Sequence, residues 1–234
     1  MIKAQSELRI FAVIPCLNEE HFIGDIVSQA RNYVSEVVVV DDGSTDHTYD
    51  KANVAGARVI KHHIRQGAGA ATRTGFETAL KSGADIIVTL DGDGQHKPEE
   101  IPRLLAPILK GQTDLVIGSR FLDPNTNMPG YRKIGIDIIT WMFNLGSKVR
   151  VTDSQSGFRA HTRKLLESVS ITRNDFGFSV EVLVKSREMG FVIAEVPISC
   201  LYHSRASNLN PIIHGLSVAC DVIGLRLIHE MFRC

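Results

Sequence analysis

The chain has 234 residues, 44% of them hydrophobic, and it balances 26 basic against 26 acidic side chains. This length supports one sizeable hydrophobic core, so a single α/β domain is expected over residues 1–234. A net charge of zero provides no general basic field, which excludes nucleic acid as an expected partner.

Cysteine usage and hydropathy indicate the cellular compartment in which the protein is expected. The four cysteines have no paired metal spacing and are typical of reduced thiols in a cytoplasmic protein. The first residues lack the pattern of a signal peptide, and no window approaches 18 uninterrupted apolar residues. We therefore expect a cytoplasmic protein without a transmembrane span, whose contact with a membrane is at most peripheral.

Apolar runs alternate with amphipathic segments of helical length along the first half of the chain. This alternation predicts β-α-β units, and hence a mostly parallel sheet with helices on both faces. The predicted strands are 8–15, 37–40, 58–61, 85–90 and 114–118, and the predicted helices are 19–33, 45–55, 68–82 and one that opens at Pro98.

The alternation breaks after Arg120. Residues 121–130 are predicted to form a loop long enough to be a lid or an acceptor-binding loop. An amphipathic helix is predicted over 134–149, a late strand over 190–199 and a closing helix over 211–232.

The most informative segment is Leu90-Asp91-Gly92-Asp93-Gly94-Gln95-His96, which follows a buried apolar strand. Two carboxylates just past the C-terminal end of a strand lie where open α/β sheets bind ligands. Closely spaced oxygen donors suit Mg²⁺ or Mn²⁺, and these ions usually share their shell with substrate phosphates. The alternative is a polar turn in which Asp and Gly are ordinary turn formers.

Polar residues also follow the first two predicted strands. Pro15 ends the first strand, and the residues after it precede a helix whose N-terminus favours anions, although a plain turn explains them equally well. Asp41 and Asp42 follow the second strand, where they could hold a base or a ribose hydroxyl. The glycine-rich stretch 66–71 fails the dinucleotide-binding fingerprint, and it is interpreted as a close-packed helix start beside a ligand.

Together these segments resemble family 2 of the inverting nucleotide-sugar glycosyltransferases with the GT-A fold. Within that family the chain is most similar to dolichol-phosphate mannose synthases and related polyprenyl-phosphate glycosyltransferases. The matching segments, in the family's order, are 13–20, 39–46, 67–71, 91–96, 118–121 and 156–159. The resemblance implies a Rossmann-like GT-A sheet, with residues 8–120 binding the nucleotide sugar and residues 121–234 forming an acceptor-binding and interfacial part.

The resemblance also implies the donor site. The nucleoside pocket would be lined by Pro15, Leu17 and Glu19, with Asp42 reading the base. A Mg²⁺ or Mn²⁺ ion and the donor diphosphate would be held by Asp91, Gly92, Asp93 and Gln95, of which Asp91, Asp93 and Gln95 are the metal ligands. The family's C-terminal lysine is missing, which leaves Arg205 or His203 as the expected diphosphate contact.

On the acceptor side, the resemblance implies that Arg120 and Arg132 hold the phosphate of a lipid, and with Asp93 they are the expected catalytic residues. A phosphate monoester needs no general base, because its second pKa of about 6 leaves it mostly dianionic at neutral pH. Arginines would instead offset the repulsion between the two anionic substrates. Glu181 is expected either near the sugar or as a salt-bridged helix residue, and Asp153 either orients Arg159 or an acceptor group, or is structural.

The expected reaction is therefore inverting transfer of a hexose or N-acetylhexosamine from a UDP- or GDP-linked sugar to polyprenyl (dolichyl-type) phosphate. Two alternatives stay open. One is a hydroxyl acceptor, which requires Asp153 or Glu181 as a base; the other is a non-catalytic nucleotide-sugar-binding subunit.

Membrane contact is expected from the amphipathic pattern at 134–149, which includes Trp141 and has cationic flanks, at the cytoplasmic face of a membrane. Core packing, a homodimer interface or a membrane partner are the other interpretations of the same pattern.

Overall fold

A computed structural model describes residues 7–123, 130–145 and 149–201, and of Tyr131 and Arg132 only the backbone. One seven-stranded sheet runs through these residues, in the order β3-β2-β1-β4-β6-β5-β7. Its strands are β1 (Ile10–Cys16), β2 (Glu36–Asp41), β3 (Arg58–Lys61), β4 (Ile86–Thr89), β5 (Leu115–Ser119), β6 (Arg159–Thr162) and β7 (Ile193–Pro197).

Six of the seven strands run in the same direction, which confirms the prediction of a mostly parallel sheet. The exception is β6, which the sequence analysis did not predict and which pairs antiparallel with both β4 and β5. Its four residues are Arg-Ala-His-Thr, so the apolar run that marks a buried strand is missing.

The helices are α1 (Ile23–Ala30), α2 (Thr48–Val54), α3 (Ala68–Lys81), α4 (Ile101–Leu109), α5 (Gly130–Asn144), α6 (Arg163–Ser168) and α7 (Phe178–Glu188). Alternate strand residues point to opposite faces, so β1 sends Phe11 and Val13 to one core layer and Ala12 and Ile14 to the other. The first layer contains side chains of α3, α5, α6 and α7, and the second contains those of α1, α2 and α4.

Most predicted elements are present with shifted ends, and β3 has the predicted bounds. The first helix is shorter than predicted, because a turn precedes Ile23, and Pro98 opens a short 3-10 turn ahead of α4. The helix predicted from Ile134 begins earlier, at Gly130. Both α6 and α7 were missed. Of the loop predicted over 121–130, residues 121–123 are described outside any helix or strand, Gly130 instead begins α5, and 124–129 lie outside the described residues, as does the closing helix predicted over 211–232. No described helix is long and apolar enough to cross a bilayer.

The contact between α3 and β1 leaves no room at Gly75. A Cβ on Gly75 would overlap Cγ1 of Val13, whose side chain is fully buried. Gly135, in α5, has open space around the same position. The two glycines therefore form a matched pair of helical positions, one in a close contact with the sheet and the other with open space around it.

We expect Gly75→Ala to lower the free energy of unfolding by about 1–2 kcal/mol, because overpacking outweighs the better helix propensity of alanine. Gly135→Ala should raise it by about 0.5–1 kcal/mol, because only the propensity changes. Urea denaturation of both variants measures the difference. Equal stability of the two variants would contradict the close contact of α3 with β1.

Candidate active site

The C-terminal ends of β1, β2 and β4 meet at one edge of the sheet. Parallel pairing aligns Cys16 with Asp41 across β1 and β2, while β4 runs alongside β1 on its other side. The residues that follow these strands are therefore neighbours in space, as the sequence analysis predicted for an open α/β sheet.

The segment 91–96 forms a tight acidic turn beyond β4. Gln95 donates its backbone N–H to Oδ1 of Asp93 over 3.0 Å, and its side-chain amide donates to Oδ2 of Asp93. The two glycines allow close packing, since a Cβ on Gly92 would lie 2.9 Å from Cβ of Cys16 and one on Gly94 2.9 Å from the ring of Phe22. The turn is thus pressed against the loop that follows β1.

Both aspartates of this turn are less acidic than usual. Burial raises the pKa of Asp93, the charge of Asp91 raises it further, and His96 and Gln95 oppose the shift. Desolvation also raises the pKa of Asp91, against the attraction of Arg120 and Arg159. The turn therefore concentrates negative charge in a partly dehydrated recess, where a cation would be stabilised.

His96 lies beneath the turn and was not predicted as a site residue. Its Nδ1 accepts the backbone N–H of Asp91 at 3.4 Å, and its ring stacks on Phe158 with centroids 5.1 Å apart. Burial lowers the pKa of His96 to about 4, so the ring is neutral at physiological pH. The only sequence signal for this role was its place at the end of the Asp-Gly-Asp-Gly-Gln-His segment.

Glu19 lies next to the acidic turn, since its Cγ is 3.4 Å from where a Cβ on Gly92 would be. Burial raises the pKa of Glu19 to about 7, with further contributions from the charges of Asp93, Asp46 and Asp91. The structure therefore brings Glu19, predicted for the nucleoside pocket, to the side of the predicted metal ligands. Pro15 lies near the end of β1 and Leu17 follows the strand; both are partly buried.

Asp42 has its carboxylate engaged by the protein. Oδ1 accepts the N–H of Gln66 at 2.9 Å and contacts Nδ1 of His62 at 2.8 Å, while Oδ2 accepts the N–H of Gly67 at 2.7 Å. Asp42 thereby fixes the loop that leads into α3. The next residues are close-packed as predicted, because a Cβ on Gly67 or Gly69 would overlap backbone carbonyls of the segment 173–175.

Arg120, which follows β5, forms a bidentate ion pair with Asp153. Nε and Nη2 of the arginine donate to the two carboxylate oxygens over 2.7 and 2.8 Å. Burial disfavours the charged carboxylate, but Arg120 outweighs that effect and holds the pKa of Asp153 below its usual value. Glu195 of β7 in turn accepts the backbone N–H groups of Thr152 and Asp153. The sequence analysis expected Asp153 to orient Arg159 or an acceptor group, or to be structural; the residue that it orients is instead Arg120.

Glu181 of α7 is a salt-bridged helix residue, the second of the two roles considered for it. Its carboxylate contacts Nζ of Lys185 at 2.7 Å and accepts the backbone N–H groups of Thr172 and Arg173. The carboxylate is buried and anchors the loop before α7.

Two predicted site residues lie partly or wholly outside the described part of the chain. Arg132 belongs to α5 by its backbone alone, and Arg205 lies beyond residue 201. Within the described residues, no three His, Cys, Asp or Glu side chains are grouped so that they could hold a metal ion. The acidic turn offers two carboxylates and an amide, so a bound ion would need ligands from the substrate as well.

One face of α5 is apolar and exposed. The exposed fractions are 62% for Ile134, 52% for Ile138, 62% for Trp141 and 42% for Leu145. Ile139 and Phe143, on the opposite face, are buried in the core. The predicted amphipathic pattern is therefore present, with its apolar row facing solvent.

Comparisons with known proteins agree with this geometry. Residues 11–172 match glycosyl transferase family 2. The UDP-N-acetylglucosamine–dolichyl-phosphate N-acetylglucosaminyltransferase of Methanococcus voltae is 34% identical over an alignment of 242 positions, which covers 93% of this chain and 96% of that relative. The undecaprenyl-phosphate mannosyltransferase of Micrococcus luteus is 33% identical over 208 residues, which cover 82% of this chain and 83% of the relative.

Among solved structures, glucosyl-3-phosphoglycerate synthase from Mycobacterium tuberculosis, in complex with Mn²⁺, UDP-glucose and phosphoglyceric acid, superposes with a TM-score of 0.73. The match covers 94% of this chain and 78% of that one at 24% identity, which shows a common fold. Because the family match spans most of the chain and relatives above 30% identity align along most of their length, this chain belongs to glycosyl transferase family 2 and is a glycosyltransferase of the GT-A fold.

Proposed function

We propose that this enzyme transfers a hexosyl or N-acetylhexosaminyl group from a UDP- or GDP-linked sugar to a polyprenyl phosphate of the dolichyl type, with inversion at the anomeric carbon. The observation that carries the proposal is that the Arg120–Asp153 pair adjoins the acidic turn: the backbone of Gly157, four residues after Asp153, abuts the carboxylate of Asp91, and the charge of Arg120 opposes the rise in the pKa of Asp91. An acidic site for the donor and a cationic site for the acceptor then flank the same recess. The relatives from Methanococcus voltae and Micrococcus luteus are named for such lipid phosphates, which supports this choice of acceptor.

The residues of the acidic turn fit Mg²⁺ or Mn²⁺. Asp91, Asp93 and Gln95 offer oxygen donors to a cation. Burial raises the pKa of both aspartates, the charge of Asp91 raises that of Asp93 further, and a divalent cation would offset both effects. When bound, the ion would supply Lewis-acid stabilisation of the leaving nucleoside diphosphate. Its presence would also remove part of the repulsion that raises the pKa of Glu19.

On the acceptor side, Asp153 fixes the plane of the Arg120 guanidinium through two hydrogen bonds. The Arg120 side chain keeps 13% of its surface exposed, so this oriented cation is not wholly enclosed by the protein. A phosphate dianion would be bound there by charge-assisted contacts. The role of Arg132 in the same contact stays a prediction.

The hydroxyl-acceptor alternative requires a general base, and neither candidate carboxylate suits that role. Asp153 is fully buried, and both of its oxygens accept hydrogen bonds from Arg120. Glu181 is also fully buried and is bound by Thr172, Arg173 and Lys185. A phosphate acceptor, which carries its own negative charge, needs no such base.

Asp42 would act through the loop that it holds. Its carboxylate is bound by Gln66, Gly67 and His62, which favours a role in shaping the nucleoside pocket over direct reading of the base. A donor screen with Mn²⁺ and a short polyprenyl phosphate would identify the sugar and the base of the donor. The measurement is the release of nucleotide.

Substituting the acidic turn tests the donor site. We expect Asp91→Asn and Asp93→Asn to lower Mn²⁺-dependent nucleotide release by on the order of 100-fold, since losing even an outer-shell partner of a metal costs 10–100-fold. The control is Asp50→Asn on α2, whose exposed carboxylate contacts only His47 among described ion pairs. Full activity of the two turn variants at low Mn²⁺ would rule out the proposed metal ligands.

Neutralising the Arg120–Asp153 pair tests the acceptor. The double variant Arg120→Gln with Asp153→Asn keeps an amide–amide hydrogen bond possible and avoids an unpaired buried charge, which would destabilise the fold. We expect its KM for polyprenyl phosphate to rise by about 10–100-fold with little change in the KM for the donor, because one charge-assisted contact is lost. Steady-state kinetics measure both constants. Unchanged transfer would favour a hydroxyl acceptor instead.

The exposed row on α5 predicts attachment to membranes. Exposed isoleucine, leucine and tryptophan side chains on one helix face are typical of an interfacial helix. We expect the protein to float with anionic liposomes and Trp141→Ser to weaken this binding several-fold. Val54→Ser, at an 87% exposed position on α2, is the matched control and should have no effect. If the unaltered protein stays at the bottom of the gradient, α5 does not bind lipid.

A further inference from the structure

The fully buried guanidinium of Arg159 has no role in the function proposed so far. We propose that Arg159 is a positioning residue: it holds the segment 153–157 in place and thereby sets the position of Arg120 relative to Asp91. The expected effect on kcat rests on the proposed function. The expected effect on the segment 153–157 can be tested without turnover.

The guanidinium of Arg159 donates hydrogen bonds to three serines. Nε donates to the carbonyl of Ser156 over 2.8 Å, and Nη2 donates to the carbonyl of Ser154 over 2.8 Å. Nη1 donates to the carbonyl of Ser179 over 2.7 Å, and Nη2 also donates to its hydroxyl over 2.6 Å. The guanidinium thus ties the segment before β6 to the first turn of α7. Only a planar group with several donors in a fixed fork can reach these carbonyls together.

The held segment contacts both halves of the site. At its start, Asp153 binds Arg120, the proposed phosphate ligand. At its end, the backbone of Gly157 abuts the proposed metal ligand, because a Cβ at this position would overlap the carboxylate of Asp91. Thr89 of β4 donates its hydroxyl to the carbonyl of Gly157 over 2.7 Å, which fixes that end against the sheet. A shift of this one segment would therefore change the distance between the acceptor phosphate and the donor diphosphate.

The charge of Arg159 also links the two halves of the site, because it interacts with Asp153 and Asp91. Burial lowers its pKa to about 10, which leaves it protonated at neutral pH, and both Asp153 and Asp91 favour the charged form. Arg159 is therefore a fixed cation between the two carboxylates, although it forms its hydrogen bonds to serines.

The test is Arg159→Lys, which keeps the charge and loses the fork. We expect kcat to fall by about 10–100-fold, since a displacement of about 1 Å from the reactive geometry costs on the order of 100-fold. The affinity for nucleotide without metal should stay the same, because the hydrogen bonds described for the Arg159 side chain go to Ser154, Ser156 and Ser179 and not to the loops after β1 and β2. Amides of residues 153–157 should exchange hydrogen faster in the variant.

The matched control is Arg163→Lys. Arg163 also donates to two backbone carbonyls, those of Leu80 and Ala84, but it lies past the far end of β6. A role limited to stability would give both variants similar losses that follow the folded fraction. An Arg159→Lys enzyme with the kcat and amide exchange of Arg163→Lys would overturn the proposal.

A second variant covers the case in which Arg159→Lys does not fold. Ser179→Ala removes one hydrogen bond to the guanidinium and leaves the charge in place, and we expect a loss in kcat of about fivefold in the same direction. An unchanged kcat and unchanged exchange at 153–157 would refute the positioning role.

Failure of the proposed function gives a different pattern. If the unaltered enzyme releases no nucleotide with any polyprenyl phosphate, the choice of acceptor is wrong. The role of Arg159 is then tested by hydrogen exchange at 153–157 and by calorimetry of Mn²⁺ binding in the presence of nucleotide. We expect both to change in Arg159→Lys. Values equal to those of Arg163→Lys would refute the positioning role.

Discussion

The crowding of like charges at one edge of the sheet is the constraint on which the rest of the site depends. Glu19, Asp91 and Asp93 share a partly dehydrated recess, where burial, together with the charges of Asp93, Asp46 and Asp91, raises the pKa of Glu19 to about 7. Such a cluster needs rigid supports and nearby cations. The supports are the close-packed turn 91–96 and buried His96, and the cations are Arg120 and Arg159, which come from the other half of the sheet.

The donor half of the site could be predicted from the sequence because its residues follow uninterrupted apolar strands. β1, β2 and β4 are marked by buried runs, and parallel connections place their C-terminal ends at one edge. The positions of Asp41, Asp42 and Asp91 follow from that alone. Local motifs then indicated which of these residues suit a metal.

The acceptor half could not be predicted in the same way, because its key contacts join residues far apart in the sequence. β6 is marked by Arg159 and His161 instead of apolar residues, so its insertion between β4 and β5 was missed. Without β6 in place, Arg159 or an acceptor group was expected beside Asp153, and its pairing with Arg120 was missed. The engagement of Asp42 likewise depends on Gln66 and Gly67, which only the folded β3–α3 connection brings near.

The reversed direction of β6 has a consequence for how such an enzyme can diversify. Because β6 runs against its neighbours, its first residue, Arg159, lies at the edge where β4 and β5 end, in register with Thr89 and Ile117. The relative positions of the reacting groups are therefore fixed by the pairing of β6 with β4 and β5. We therefore expect changes outside β4, β5, β6, Arg120 and residues 153–157 to leave the spacing of the reacting groups intact. For protein engineering, the strands that position the reacting groups can then be kept while the residues outside them are varied.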